Sequence, residues 1–252
     1  MPAGAPRLLT VPLSHFCEKA RWALQYAGID YREEAHLPLL HRLSTRRVGA
    51  GSVPVLVGAG AVLKDSESIL RWADAQPGAR RLLPTGAAAR SEALELMRYL
   101  DRELGVHARR WAYGELLPRP AMLLPCFSAG VRAPTRYVAP LLLPLLRPLI
   151  RRGYRVTAAN AAASLERVAA VFERIAERLS DGRAYLIEEG FGAADITFAS
   201  LAAPLVFPEN YGGRLPPLPR LPARMAEVVT RMRALPAGTF ALAMYARHRA
   251  AR

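Results

Sequence analysis

The feature of this 252-residue chain that most limits its fold is a change in hydrophobic period near residue 80. Before that point the period switches repeatedly between the values of strands and helices, as an α/β unit requires, and after it the pattern is helical. Arg7 to Val11 reads as a short buried strand. From Phe16 to Ala27 the apolar residues Phe16, Ala20, Ala23, Leu24 and Ala27 share one helical face. Glu18, Arg21 and Gln25 lie on the other, and Gly28 closes the helix. Tyr31 to Ala35 is a second strand, and His41 to Arg47 is a basic, less regular segment. Val53 to Val57 is a third strand, turned back at Gly58 and Gly60 into a fourth at Ala61 to Lys64, so the pair forms an antiparallel hairpin. Ser66 or Ser68 caps a last helix running to about Ala75, which Gln76-Pro77-Gly78 ends.

The order is therefore β-α-β-α-β-β-α, and Arg80 to Gly86 is the natural linker to the helical part of the chain. Downstream, Ala93, Met97, Leu100 and Leu104 make one helical stripe, and Leu165, Val168, Ala169, Phe172, Ile175, Ala176 and Leu179 make a longer one. The expected division is an α/β domain over residues 1–82 and an all-α helical bundle over 86–252.

Residues 114–157 interrupt the bundle pattern. Between Leu116 and Leu165 there is no acidic residue, but there are seven arginines, at 119, 132, 136, 147, 151, 152 and 155, and many prolines. An irregular basic insertion packed across the bundle is expected. The sharper alternative is a peripheral contact with an anionic membrane or partner, apolar residues dipping in while arginines hold phosphates. The most apolar stretch, Val138 to Ile150, contains Pro140, Pro144, Pro148 and Arg147. It is shorter than the roughly 20 apolar residues of a membrane span.

A formal net charge of +14 invites a nucleic-acid reading. All the basic residues except Lys19 and Lys64 are arginine, spread along the chain, as a GC-rich genome produces without selection for a partner. No helix-turn-helix, zinc-finger or RNA-binding signature accompanies them, so no nucleic-acid partner is expected. Two cysteines, Cys17 and Cys126, are too few for a disulfide framework, and the start MPAGAPRLLTVPL lacks the pattern of a secretory signal. A reducing, cytoplasmic setting is expected, with no metal site.

The segment that carries chemistry is Ser14-His15-Phe16-Cys17-Glu18-Lys19-Ala20-Arg21, where the first strand gives way to a helix. A helix N-terminus presents unpaired N–H groups and partial positive charge, so a thiolate placed there is stabilised. The Ser14 hydroxyl has two readings: donor to a bound sulfur anion, or simple N-cap. Cys17, one turn further on, is either a thiol able to attack a disulfide or a small buried side chain.

This segment resembles the active-site turn of glutathione transferases and glutaredoxins. Val53-Pro54-Val55-Leu56 resembles the family's Val-Pro-x-Leu segment, and Asp65-Ser66-Glu67-Ser68-Ile69 its Glu/Gln-Ser-x-x-Ile segment. Phe191-Gly192-Ala193-Ala194-Asp195-Ile196-Thr197 resembles the capping box of its central helix, with glycine in place of the usual Ser or Thr. The four occur in the family's order, and the resemblance covers residues 7 to about 110 and 158 to 235 well and 114 to 157 poorly.

The resemblance implies a thioredoxin-like glutathione-binding domain at the N-terminus, an all-helical C-terminal domain, and a homodimer. It implies a cis proline at Pro54, with the backbone of Val53 pairing the cysteinyl part of glutathione, and Asp65 with Ser66 holding its γ-glutamyl end. His41, Arg46 or Arg47 would meet the glycyl carboxylate. Serine at position 14, where thiol-transferring members have cysteine, favours conjugation of glutathione to a small hydrophobic electrophile, lodged near Tyr99, Val106 or Tyr113. The alternatives are a glutathione-dependent thiol-disulfide oxidoreductase using Cys17, and a non-catalytic binding protein of this fold.

Overall fold

Leu8 and Leu9, neighbours on β1 (Arg7–Thr10), point to opposite faces of a sheet, and each face collects its own core. In the computed structural model, which describes residues 4–58 and 60–250, β1 is central. It pairs in parallel with β2 (Arg32–Ala35) and antiparallel with β3 (Val55–Val57), which pairs antiparallel with β4 (Val62–Leu63). The strand order is β2-β1-β3-β4. Leu8 and Leu56 face the main core with α1 (His15–Tyr26) and α3 (Ser66–Asp74). Leu9 and Val55 face Ala50, just after the turn that follows α2 (His41–Arg46). The basic, less regular segment is thus the short helix that the element order places between the second and third strands. Asp65, rather than Ser66 or Ser68, caps α3: its carboxylate accepts from the Ser68 N–H and hydroxyl, both at 2.7 Å.

The polar face of α1 departs most from its pattern. An amphipathic helix would leave it in water, yet Glu18, Lys19 and Arg21 are buried. They are buried because the residues after the α/β unit close over them, supplying partners to Glu18 and Lys19, while β2 supplies the partner of Arg21. Lys19 Nζ donates to both oxygens of Asp101 at 2.8 and 2.9 Å. Glu18 accepts from Arg249 Nε at 2.8 Å and from the Gly212 N–H at 3.0 Å, and Arg21 Nε donates to Glu33 at 2.8 Å. The α/β unit is joined to the helices by charge as well as by oil.

The helical region runs α4 (Ala87–Leu100), a π-type turn (Asp101–Gly105), α5 (Val106–Leu116), α6 (Pro120–Ser128), α7 (Thr135–Gly153), α8 (Ala158–Arg178), α9 (Ala193–Val206), α10 (Ala223–Ala234) and α11 (Pro236–His248). Every residue of α9 is buried, so it is the axis of the bundle. Residues 114–157 do not form an irregular insertion: they contain α6 and α7, and Val131 between them bridges Ala35 at the end of β2. Helix survives the prolines because Pro140, Pro144 and Pro148 are spaced by four and all exposed. The carbonyls they leave without donors therefore lie on the outer side, where water reaches them.

Asp195 reaches back to the Gly192 N–H at 2.9 Å and also accepts from the Leu186 N–H at 2.8 Å. Glycine stands at the cap for space: a Cβ on Gly192 would lie 2.5 Å from the Leu82 carbonyl oxygen, which accepts from the Ala193 N–H at 2.7 Å. Gly192→Ala is expected to lower stability by about 1–3 kcal/mol, the usual cost of overpacking. Urea denaturation of the variant tests this, and an unchanged midpoint would contradict it.

Candidate functional site

Ser14 is the N-cap of α1, with extended backbone and its Oγ accepting from the Cys17 N–H at 3.3 Å. As a single acceptor in a long bond, the hydroxyl keeps its own proton free to donate elsewhere. Two interactions with the π-type turn hold the start of α1 against the bundle, the Lys19–Asp101 pair and a bond from His15 Nε2 to the Gly105 carbonyl at 2.9 Å. Burial lowers the His15 pKa to about 3, with Arg109 adding to the effect. The ring is therefore neutral, and because a carbonyl only accepts, its proton is on Nε2. Opposite, the Tyr211 hydroxyl donates to the Leu13 carbonyl at 3.1 Å. The turn that presents Ser14 is braced from both sides.

Ser14 opens on a cavity of about 170 Å³ whose wall also includes His41, Val53, Arg109, Tyr113 and Leu149. The Val53–Pro54 peptide is cis, as the resemblance implied, with Val53 in the wall and Pro54 behind it. Of the residues expected to contact ligand, Ser14, His41 and Val53 are thus brought together. Asp65 and Ser66 stand apart from the cavity, at the start of α3, Asp65 exposed and Ser66 buried. Tyr113 is in the wall. Tyr99 and Val106 are not, and Tyr99 instead lies under the Arg174 guanidinium at 4.4 Å. The helical stripes could not distinguish these positions because a spacing of seven places all three on one face of a regular helix, whereas the π-type segment interrupts that register.

Cys17 does not face the cavity. It is fully buried, and desolvation pushes its thiol pKa up, against smaller opposing effects of Arg21 and the Ser14 hydrogen bond. A thiol so placed is protonated and out of reach of a disulfide, which argues against the oxidoreductase reading.

The cationic groups also differ from expectation. His41 is buried, its pKa lowered to about 4 by desolvation, then by Arg42 and His36, so it brings no positive charge at neutral pH. Arg46 and Arg47 are exposed and outside the cavity wall, whereas Arg42 is in it. Arg109 was not singled out by the sequence. It packs over the rings of Tyr154 and Phe16 at 4.3 and 5.5 Å, and its buried Nε has no hydrogen-bond partner among the described residues. It is one of many arginines, and only the fold shows that it comes beside Ser14.

Residues 8–81 match the family model of the glutathione S-transferase N-terminal domain. Solved structures of similar fold include a glutathione S-transferase from Xanthobacter autotrophicus Py2, 20% identical with a TM-score of 0.58, covering 96% of this chain and 93% of that one. Another is a glutathione transferase from Phanerochaete chrysosporium, 16% identical with a TM-score of 0.64, covering 98% of both chains. A third, from Ceriporiopsis subvermispora and solved in complex with glutathione, is 16% identical with a TM-score of 0.62, covering 98% of this chain and 99% of that one. No curated protein matches by sequence. The chain has the fold of the glutathione S-transferases, a thioredoxin-like domain followed by a helical region.

Proposed function

We propose that this chain binds glutathione with its sulfur at Ser14 and conjugates the thiolate to a small hydrophobic electrophile held in the adjoining cavity. The observation that carries this reading is the Ser14 hydroxyl, free to donate, at the positive end of a braced helix and on the wall of a largely apolar cavity. A hydroxyl, the helix N-terminus and the Arg109 guanidinium would together favour the thiolate over the thiol. Val53 would pair the cysteinyl backbone and Arg42 would meet the glycyl carboxylate, with neutral His41 able to add a hydrogen bond but not charge. The γ-glutamyl end would lie outside the cavity, its amine at Asp65 and its carboxylate at the Ser66 N–H. A cytoplasmic homodimer belongs to the same proposal.

Asp65 also caps α3, so alanine there would confuse binding with folding. Asp65→Asn keeps a good cap and removes only the charge. Calorimetry is expected to show glutathione binding by the wild type and about tenfold or weaker binding by Asp65→Asn, the loss of one charge-assisted bond. Equal affinity in the variant would move the γ-glutamyl end elsewhere. Absence of binding by the wild type would sink the function.

A further inference from the structure

One face of α7 has no partner among the described residues. Tyr137, Leu141, Leu145 and Leu149 recur every four residues and are 67%, 77%, 67% and 57% exposed. Val138 and the three prolines fill out the same side, while Ala139, Leu143, Leu146 and Ile150 on the opposite side are buried. A surface helix normally turns polar residues outward, and a contiguous apolar face marks a contact. The charges are at the ends. Arg132 and Arg136 lie at the start of α7, Arg151, Arg152 and Arg155 at its close. All five are exposed, and none enters an ion pair among the described residues. Arg152, four residues beyond Pro148, falls on the apolar side itself.

We propose that this face docks the protein on an anionic lipid surface, the leucine stripe entering the boundary between headgroups and acyl chains and the terminal arginines meeting lipid phosphates. Charge selects this occupant over a second copy. With both ends of α7 basic, a two-fold contact between two such helices sets cations against cations in either direction, and no acidic residue between Leu116 and Leu165 relieves it. The prolines set the depth. The carbonyls of Arg136, Pro140 and Pro144 have no N–H four residues on, so they need water or headgroups and stay out of the hydrocarbon. No helix among the described residues is long and apolar enough to cross a membrane. Leu149 belongs both to the stripe and to the wall of the Ser14 cavity, so docking brings that cavity to the lipid surface.

The test is co-sedimentation of the full chain with vesicles of mixed phosphatidylglycerol and phosphatidylcholine, and with phosphatidylcholine alone. Pelleting is expected with the anionic vesicles, at least tenfold weaker with the neutral ones and lost at high salt. Leu141→Gln with Leu145→Gln leaves the charge unchanged and alters only exposed positions, and should weaken pelleting at least tenfold. Unchanged pelleting of that variant, which would mean attraction by basic surface elsewhere, overturns the proposal. So does a wild type that never pellets, or one whose stripe leucines hold a dimer in sedimentation velocity without binding vesicles. Leu141→Trp keeps the face apolar and guards against misfolding: its emission should shift to the blue on anionic vesicles, and an unshifted emission from pelleted protein also overturns the proposal. Glutathione affinity of the same samples is a separate readout.

Discussion

Glu18→Ala is expected to be the most destabilising single substitution in this protein, lowering the free energy of unfolding by about 3–5 kcal/mol, the range for breaking a buried ion pair from one side. Glu18 is completely buried and holds two groups from distant parts of the chain, Arg249 Nε at 2.8 Å and the Gly212 N–H at 3.0 Å, and, more loosely, Arg21 of its own helix at 3.6 Å. Removing the carboxylate leaves the buried Arg249 guanidinium without its ion-pair partner, and its Nη atoms already have no partners among the described residues. Arg21 keeps Glu33. Much of the loss should therefore come from the stranded Arg249. Glu18→Met combined with Arg249→Met should cost less than the sum of the two single changes by at least about 1 kcal/mol in a double-mutant cycle. Equilibrium denaturation of the four proteins measures it. Additive effects would mean that the pair contributes nothing beyond each side chain's packing.

The second large effect is chemical. Ser14→Ala is expected to lower kcat/KM for glutathione conjugation about 10²–10³-fold, the usual cost of removing one donor to a developing or bound anion. It also removes a helix cap, at about 1 kcal/mol of stability, so the two roles must be separated. Ser14→Asp does so. It keeps an acceptor for the Cys17 N–H and hence the cap, but offers a negative charge instead of a proton to the sulfur. Stability close to wild type with activity at least as low as that of Ser14→Ala is the expected outcome in turnover and thermal melts. If activity merely followed stability across the two variants, Ser14 would be a cap and nothing more.

The first eighty residues were legible because each strand and helix there carries its own period and ends on a glycine, a proline or a capping side chain. β1, α1, β2 and the β3–β4 hairpin fall within one or two residues of the boundaries their patterns predict. The fate of the polar face of α1 was not legible. Glu18, Lys19 and Arg21 look like a solvated face because their partners Arg249, Asp101 and Glu33 lie up to 231 residues away, and no local pattern encodes those pairings. The helicity of α7 was hidden for a related reason. Proline argues against helix only when its missing bond is turned inward, and periodicity alone did not show that the prolines of α7 all face out.

At the site, the motif positions Ser14 and Val53 come to one cavity, while Asp65 and Ser66 begin a helix outside its wall. The basic residues were poorly legible. His41 lines the cavity but is held neutral by burial, Arg42 lines it where Arg46 and Arg47 do not, and Arg109 joins the same wall from a helix some ninety positions further along the chain.

Whether this site holds glutathione as a thiolate is read most directly from a pH titration of the thiolate ultraviolet absorbance of glutathione bound to the wild type. An apparent thiol pKa of about 7 or below is expected, against about 8.5 for a free cysteine thiol, rising back towards that value in Ser14→Ala. A bound thiol that titrates at the free value in the wild type would contradict the proposed chemistry.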